Sequence, residues 1–438
     1  MIKVLEDFFE LSKHNTTLKK EVIAGLTTFM TMAYIIFVNP NILNQAGMPF
    51  DSVMIATAMA AAFATLCMAL LTNYPFALTP GLGLSAYFTY SVVLGMGFSW
   101  QEALGAVFIS GIIFILLTFT KVRQVIINSM PETLKLSVSA GIGLFIAFIG
   151  MQNSGIVVNH GATLVTLGDL TEPATILAIV GLIITGILMA KDIKGSILIG
   201  IIAVTILAIS LGVTDMPTSI MKVPDFSVWS KIAFEADIIG VLEKGILTVI
   251  FAFLFVDLFD TAATLVGLSQ QAGFLDDDGN LPKVDKALLS DSLGTIAGSM
   301  MGTPTVTTCI ESAAGIAQGG KTGLTGVVVA FCFVLSIFFS PIISIVPSVA
   351  TAPALIIVGL MMMKNVVNLE WTNIAESLPA FVTIIAMPFT YSIANGISLG
   401  FILYPIVKLF HGEGKDVHWI VYLLGILFIV KFIFMSGI

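Results

Sequence analysis

The chain has 438 residues, of which 57% are hydrophobic and 11% charged, and its mean hydropathy is +1.03. Soluble domains carry about 25% charged residues, so a soluble enzyme is excluded, and no nucleic-acid partner is expected. The formal net charge of −8 says little about partners, because in such a chain the placement of charge matters more than its sum.

Apolar stretches long enough to cross a ~30 Å hydrocarbon core recur from end to end, which predicts a polytopic, all-α membrane protein in a lipid bilayer. Residues 1–21 mix Lys3, Lys13, Lys19 and Lys20 with Glu6, Asp7, Glu10 and Glu21 and contain no apolar run. They read as a cytoplasmic segment and not as a cleaved signal, with Val4 to Leu11 amphipathic and lying on the membrane surface. A first set of spans is expected at 22–42, 52–72, 76–94, 102–120, 137–152, 174–190 and 195–212. A polar external linker, 213–239, separates it from a second set at 240–268, 285–301, 303–318, 322–345, 348–363, 378–393 and 395–411. The chain thus divides into a first repeat, 22–212, and a second, 240–416, followed by a hydrophobic segment, 417–438. That last segment contains Lys431 and reads as a further span, an interfacial helix or part of a differently divided C-terminus.

With the N-terminus inside, Lys121, Arg123, Lys135, Lys191, Lys194, Lys283, Lys286, Lys321, Lys364, Lys408 and Lys415 all fall on the cytoplasmic side. Only Lys222, Lys231 and Lys244 fall outside, and this bias fixes the orientation. About seven spans on each side of the linker then run in opposite directions, the pattern of an inverted repeat. Span three carries Thr79-Pro80-Gly81-Leu82-Gly83-Leu84-Ser85-Ala86-Tyr87, and span ten carries Thr303-Pro304 through Glu311-Ser312-Ala313-Ala314-Gly315. Proline removes a backbone donor and glycine weakens a helix. Interrupted segments at matching places in two halves point to a transporter's binding site.

Two acid-bearing segments stand out in this oily chain, Asp257-Leu258-Phe259-Asp260-Thr261 and the polar run from Thr303 through Thr308, Cys309 and Ile310 to Glu311 and Ser312. An acid at membrane depth costs at least ~2.5–3.5 kcal/mol, so such residues usually line a path for substrate or ion. Asp257 and Asp260 share roughly one helix face, and Thr261 and Thr264 add polarity to it; the alternative is a buried network bonded to a neighbouring helix. Glu311 follows an extended-looking stretch whose free N–H groups, with the start of the next helix, suit a ligand. The alternative there is a helix-capping glutamate. In the first half Ser85, with backbone groups at Ala86 and Tyr87, forms the counterpart, against a plain glycine-mediated helix contact.

Other patterns carry less. Gly315-Ile316-Ala317-Gln318-Gly319-Gly320-Lys321-Thr322 fits a phosphate-loop pattern, but that loop needs a nucleotide-binding α/β domain, and here it reads as a helix–helix turn. Asp276-Asp277-Asp278-Gly279-Asn280 resembles the start of a calcium loop whose later ligands are missing. Gly294 and Gly298 form a small-residue pair for close helix approach. Cys67, Cys309 and Cys332 lie in apolar segments, and the four histidines at segment edges, so neither a disulfide framework nor a metal site is expected.

The sequence resembles the adenine/guanine/hypoxanthine permeases, the AzgA-type branch of the nucleobase:cation symporters. The resemblance rests on Asn73-Tyr74-Pro75-Phe76-Ala77 with Pro80 to Phe88, on Asp257 to Thr264, and on Ile310-Glu311-Ser312-Ala313-Ala314-Gly315, and it runs over nearly the whole chain. It implies a fold of about fourteen segments in two inverted sevens, split into core and gate domains, with substrate held between spans three and ten and spans one and eight. It implies that Asp257 and Glu311 bond the base, that Ser85, Ala86, Tyr87, Thr308 and Ile310 complete its site, and that Asp257, Asp260, Thr261 and Glu311 are the proton-coupling candidates. Ser85 stands where many relatives carry Asn, and a hydroxyl offers fewer bonds than an amide.

The activity expected is import of a purine base (hypoxanthine, guanine and/or adenine) with a proton across the cell (inner) membrane, without a cofactor and without enzyme chemistry. A homodimer is implied only by analogy. An anion or sulfate carrier of the same broad fold would require a basic residue, or a helix N-terminus free of carboxylates, at the site, whereas acids and no nearby Lys or Arg are expected there. An intramembrane enzyme would require a nucleophile–base pair or a carboxylate dyad, for which Asp257 and Asp260 are the formal candidates.

Overall fold

In hydrocarbon every backbone N–H and C=O must be paired within the chain, which restricts lipid-facing segments to helices. The computed structural model describes residues 6–120, 129–243, 247–276 and 281–435. Among these, nine helices are long and apolar enough to cross a membrane, and four shorter apolar helices accompany them.

The first half contains α1 (Leu18–Met32), α2 (Ile35–Gln45), α3 (Phe50–Thr72), β1 (Leu78–Pro80), α4 (Leu82–Ala86) with a π-helical continuation (Tyr87–Gly95), α5 (Trp100–Phe119), α6 (Glu132–Asn153), β2 (Val157–His160), β3 (Leu164–Leu167), α7 (Pro173–Ala190) and α8 (Ser196–Ser210). After the short helices α9 (Phe226–Trp229) and α10 (Ile238–Glu243), the second half contains α11 (Leu247–Ala272), α12 (Val284–Met301), β4 (Val306–Thr308), α13 (Ser312–Ala317) and α14 (Gly323–Ser336). It ends with α15 (Ser340–Ile343), α16 (Ser348–Met363), α17 (Ile374–Phe389), α18 (Ile393–His411) and α19 (Trp419–Met435).

The helices pack as two groups. Within one, α12 and α14 lie on α3, α12 on α5, and α13 and α14 on α1. In the other, α16 and α17 lie on α6, α16 on α7, and α17 on α18. Two crossing strands pack on α3, α11 and α12 of the first group's side, with β1 antiparallel to β4 in the register Leu78↔Thr308, Thr79↔Thr307 and Pro80↔Val306. The ladder extends outward as Gly81 N donates to Thr305 O at 3.0 Å and Cys309 N to Ala77 O at 2.9 Å.

A pair of threonines reveals the internal two-fold. Thr65 Oγ1, on α3, accepts from Leu78 N at 2.9 Å and reaches Leu78 O at 3.0 Å. Thr295 Oγ1, on α12, contacts Val306 N and Val306 O in the same way, both at 3.3 Å. Each hydroxyl satisfies the first residue of a strand that helix bonding cannot serve. The two Thr-Pro pairs are not equivalent in this frame: Thr79-Pro80 lie in β1, whereas Thr303-Pro304 precede β4. The approach to β4 turns at Gly302, whose φ of +98° suits glycine and strains other residues.

Several expectations change. Span one is bent at Ala33-Tyr34, where i→i+3 bonds from Ile36 N to Ala33 O and Phe37 N to Tyr34 O tighten the chain. Span eight is covered by α10 and α11, and residues 244–246 between them lie outside the described residues. The linker is strapped over the helix ends, with Lys222 N donating to Phe338 O, Phe234 N to Met300 O, Asp237 N to Gln101 O and Trp229 Nε1 to Met301 O. The β2–β3 hairpin, unforeseen, joins α6 to α7. Helix α19 packs on α18 and α11 through Phe428 against Phe401 and Phe251; the Lys431 side chain lies outside the described set.

Near the N-terminus Phe9 and Leu11 are buried against Leu324, so this stretch docks on the protein by one side while Phe8 remains 61% exposed. Val4 and Leu5, like Lys3, Lys121, Arg123, Lys244 and residues 277–280 of the calcium-like turn, lie outside the described residues. Lys408 is not a free cytoplasmic anchor but is 7% exposed, its ammonium 2.5 Å from both Glu376 and Glu413.

Candidate substrate site

A cavity of about 240 Å³ lies against the crossing strands. Its inner wall is Tyr34, the run Thr79 to Leu84, Asp260 and Thr264, and the run Thr307 to Glu311. Its outer wall is Ser139, Met361 and Met362, and it ends at Lys135 and Lys364. Gly83 lets α4 come this close to α6, since a Cβ there would meet Ile142 Cγ2 at 2.6 Å.

Glu311 is the N-cap residue of α13, but its carboxylate caps nothing on that helix. It turns instead to Tyr34, whose hydroxyl donates to Oε1 at 2.5 Å. Thr308 is 3% exposed, lines the cavity, and its hydroxyl has no hydrogen-bond partner among the described residues. A buried hydroxyl without a partner carries a desolvation cost that a bound polar ligand removes. Ile310 is 54% exposed and gives the wall an apolar surface. Asp260 reaches the cavity from α11, with Thr307 Oγ1 at 3.4 Å from its Oδ2.

The structure separates the residues that the sequence grouped. Asp257 and Asp260 do not share the cavity. Asp257 is buried away from it, facing Thr261, whose hydroxyl donates to Asp291 Oδ1 at 2.8 Å and lies 3.4 Å from Asp257 Oδ1. Ser85, Ala86 and Tyr87 also stand behind the wall. Ser85 Oγ donates to Asn39 Oδ1 at 2.6 Å, and Asn39 Nδ2 donates to Thr57 and Thr303. Tyr87 packs edge-on against Phe253 with ring centroids 5.1 Å apart. The first half meets the cavity through Thr79 to Leu84, one turn earlier than expected.

Sequence reasoning missed Tyr34, Asp291, and the two lysines. Ser290-Asp291-Ser292 in an apolar span was a usable signal for Asp291. Lys135 and Lys364 correct the expectation of a site without nearby cations, because both line the cavity.

The opposite ends of these helices are joined. Ser91 Oγ donates to Tyr391 O at 2.6 Å, Asn153 Nδ2 donates to Tyr90 Oη at 3.4 Å, and the Tyr391 hydroxyl bonds Gln152. The Tyr391 ring also meets Tyr90 and Phe145 edge-on. The two helix groups are thus clasped at one end and parted by the cavity at the other.

The phosphate-loop-like stretch is filled from within the chain. Glu21, fully buried, accepts from Lys321 N at 3.0 Å, Thr322 N at 3.3 Å and Thr325 Oγ1 at 2.6 Å. Its carboxylate sits at the start of α14, where helix-end N–H groups attract an anion.

A sequence profile described as the Permease family matches residues 19–399. The chain belongs to the xanthine/uracil permease family. It is a multi-pass membrane transporter and not an enzyme. This permease is 53% identical over 437 residues, the whole of both chains, to a protein of Methanocaldococcus jannaschii described no further than as a permease. It is 45% identical to the guanine/hypoxanthine permease PbuO of Bacillus subtilis, over 97% of this chain and 99% of that one. It is 41% identical to the adenine permease AdeP of Escherichia coli, over 99% and 97%.

In structure the permease resembles the transmembrane domain of the cyanobacterial bicarbonate transporter BicA, with a TM-score of 0.64 and 16% identity over 87% of this chain and 97% of that one. It also resembles the murine Solute Carrier 26 family member A9 anion transporter in the inward-facing state, with a TM-score of 0.60 and 12% identity over 90% and 68%. These two likenesses establish the shared fold.

Proposed function

We propose that this permease imports a purine base, hypoxanthine, guanine or adenine, together with a proton. The observation that carries the reading is that one cavity of about 240 Å³, walled by a strand crossing, is lined by both Glu311 and a Thr308 hydroxyl that has no hydrogen-bond partner among the described residues. A carboxylate accepts from ring and exocyclic N–H groups, a hydroxyl donates or accepts, and Ile310 and Leu82 cover an aromatic face. The names of the relatives PbuO and AdeP agree with that chemistry.

Glu311, Asp260, Thr308 and Ile310 contact the base. Asp257, Thr261 and Asp291 lie one layer behind and, with Asp260, are the groups through which a proton passes. Ser85, Ala86 and Tyr87 support the wall from the rear. The acids at the crossing disfavour an anion as substrate, whereas Lys135 and Lys364 stand at the exit.

The charge bias puts the N-terminus and the Lys135–Lys364 end in the cytoplasm of a cell whose plasma (inner) membrane holds the protein. The cavity then faces inward and the Tyr391 clasp closes the outside. The repeats 22–212 and 240–416 each contribute to a core and a gate that move against one another, joined by the linker 213–239.

The test is uptake of labelled hypoxanthine, guanine, adenine and uracil by a purine-transport-deficient bacterium, with and without a protonophore. Saturable purine uptake that collapses with the protonophore is expected. A well-inserted protein that takes up no base sinks the reading, and uptake indifferent to the protonophore removes the proton from it.

A further inference from the structure

The bend in span one places Tyr34 in the cavity wall, 1% exposed and bonded to Glu311. Glu311 could have folded back onto α13 as its cap, but its side chain makes no such bond. Span one holds this residue in two ways. Thr31 Oγ1 lies 3.5 Å from Glu311 O, and Gly315 of α13 presses on α1 so closely that a Cβ there would stand 2.1 Å from Thr28 Oγ1. Span one therefore holds the start of α13 in place and orients the carboxylate through the Tyr34 hydroxyl.

We infer that Tyr34 is a positioning and specificity-determining residue: its hydroxyl takes one acceptor site on Oε1 of Glu311 and fixes the carboxylate plane, so that Oε2 is the oxygen offered to a base with its acceptor sites open. The inference rests on the reading that Glu311 bonds the base. A free carboxylate takes two parallel N–H donors, one on each oxygen. A purine with a ring N–H beside an exocyclic amine, as in guanine, presents such a pair, whereas hypoxanthine presents the ring N–H alone. With Oε1 already accepting from Tyr34 and the carboxylate plane fixed, the second donor of guanine meets a partly used oxygen at an unfavourable angle, and the two bases compete on nearly equal terms. Without the Tyr34 hydroxyl, Glu311 turns, the single-donor base loses a fixed partner, and the two-donor base recovers part of the loss through Oε1.

The test is Tyr34→Phe, which keeps the ring and removes the donor, with membrane insertion checked by labelling. Losing a hydrogen bond to a charged group predicts a rise in the hypoxanthine KM of roughly tenfold. A smaller rise for guanine is expected, shifting the KM ratio toward guanine by about threefold or more, with Vmax little changed. A second measurement needs no substrate. The infrared carboxylate band lost in Glu311→Gln should shift in Tyr34→Phe, and shift oppositely when 3-fluorotyrosine, a stronger donor, stands at position 34.

Equal KM changes for both bases, or an infrared band that ignores Tyr34→Phe, overturn the inference. If the unmodified permease takes up no base, the proposed function fails on that result, while the infrared arm still decides whether Tyr34 holds Glu311.

Discussion

The two crossing segments share a backbone plan and differ in chemistry. Thr65 and Thr295 serve the first residues of β1 and β4 alike, and each strand leads into a short helix. At the N-cap of α4 stands Gly81, and at the N-cap of α13 stands Glu311. The first crossing thus supplies close approach and an apolar surface, while the second supplies a carboxylate and the Thr308 hydroxyl. The backbone plan is shared between the halves, and the asymmetry of its chemistry is what would give a ligand one orientation.

The largest effect should come from the unmatched cap positions. Glu311→Gln keeps shape but loses the anionic acceptor, and purine uptake should fall by about a hundredfold or more. Gly81→Ala should cost only a few-fold in KM, because its Cβ would meet the Thr307 side chain at 3.1 Å with an ordinary φ of −73°. If Gly81→Ala proved as damaging as Glu311→Gln in uptake assays, the assignment of chemistry to the second half would break.

The matched threonines should behave alike. Thr65→Val and Thr295→Val each strip a buried strand end of its partner, at about 1–3 kcal/mol. Thermal unfolding in detergent should show similar losses for the two; a loss confined to one would show that the halves bear unequal loads.

Ser85→Ala should do least to transport. It removes the donor to Asn39 Oδ1, at about 1 kcal/mol of stability, yet leaves the KM for any base within about twofold, since Ser85 stands behind the wall. A large KM change with unchanged unfolding would return Ser85 to direct contact with the base.

The two crossings were legible because proline, glycine and threonine are poor helix formers in places where lipid otherwise demands helix. Acids in an apolar chain marked Asp257, Asp260 and Glu311 for the same reason of cost. Their separate directions were not legible. Residues three apart lie about 60° from each other around a helix, and only packing decided that Asp260 meets the cavity while Asp257 and Thr261 turn to Asp291.

Tyr34 was hidden because a lone tyrosine in an apolar span looks like any core aromatic. Its role comes from a contact 277 residues away in sequence. Lys135 and Lys364 were hidden in another way: in the sequence their charge argued only for a side of the membrane, and nothing said that the cavity would open beside them.

The strand pair also bears on how the protein is made. Ala77 N bonds Ser312 Oγ, 235 residues later in the chain. At synthesis rates of ~5–20 residues per second, β1 waits roughly 10–50 s for β4. During that interval its unpaired edge must be sheltered by the insertion machinery or by water. Truncation between the halves would leave it bare, so a fragment ending in the linker should be cleared by membrane proteases faster than the full chain.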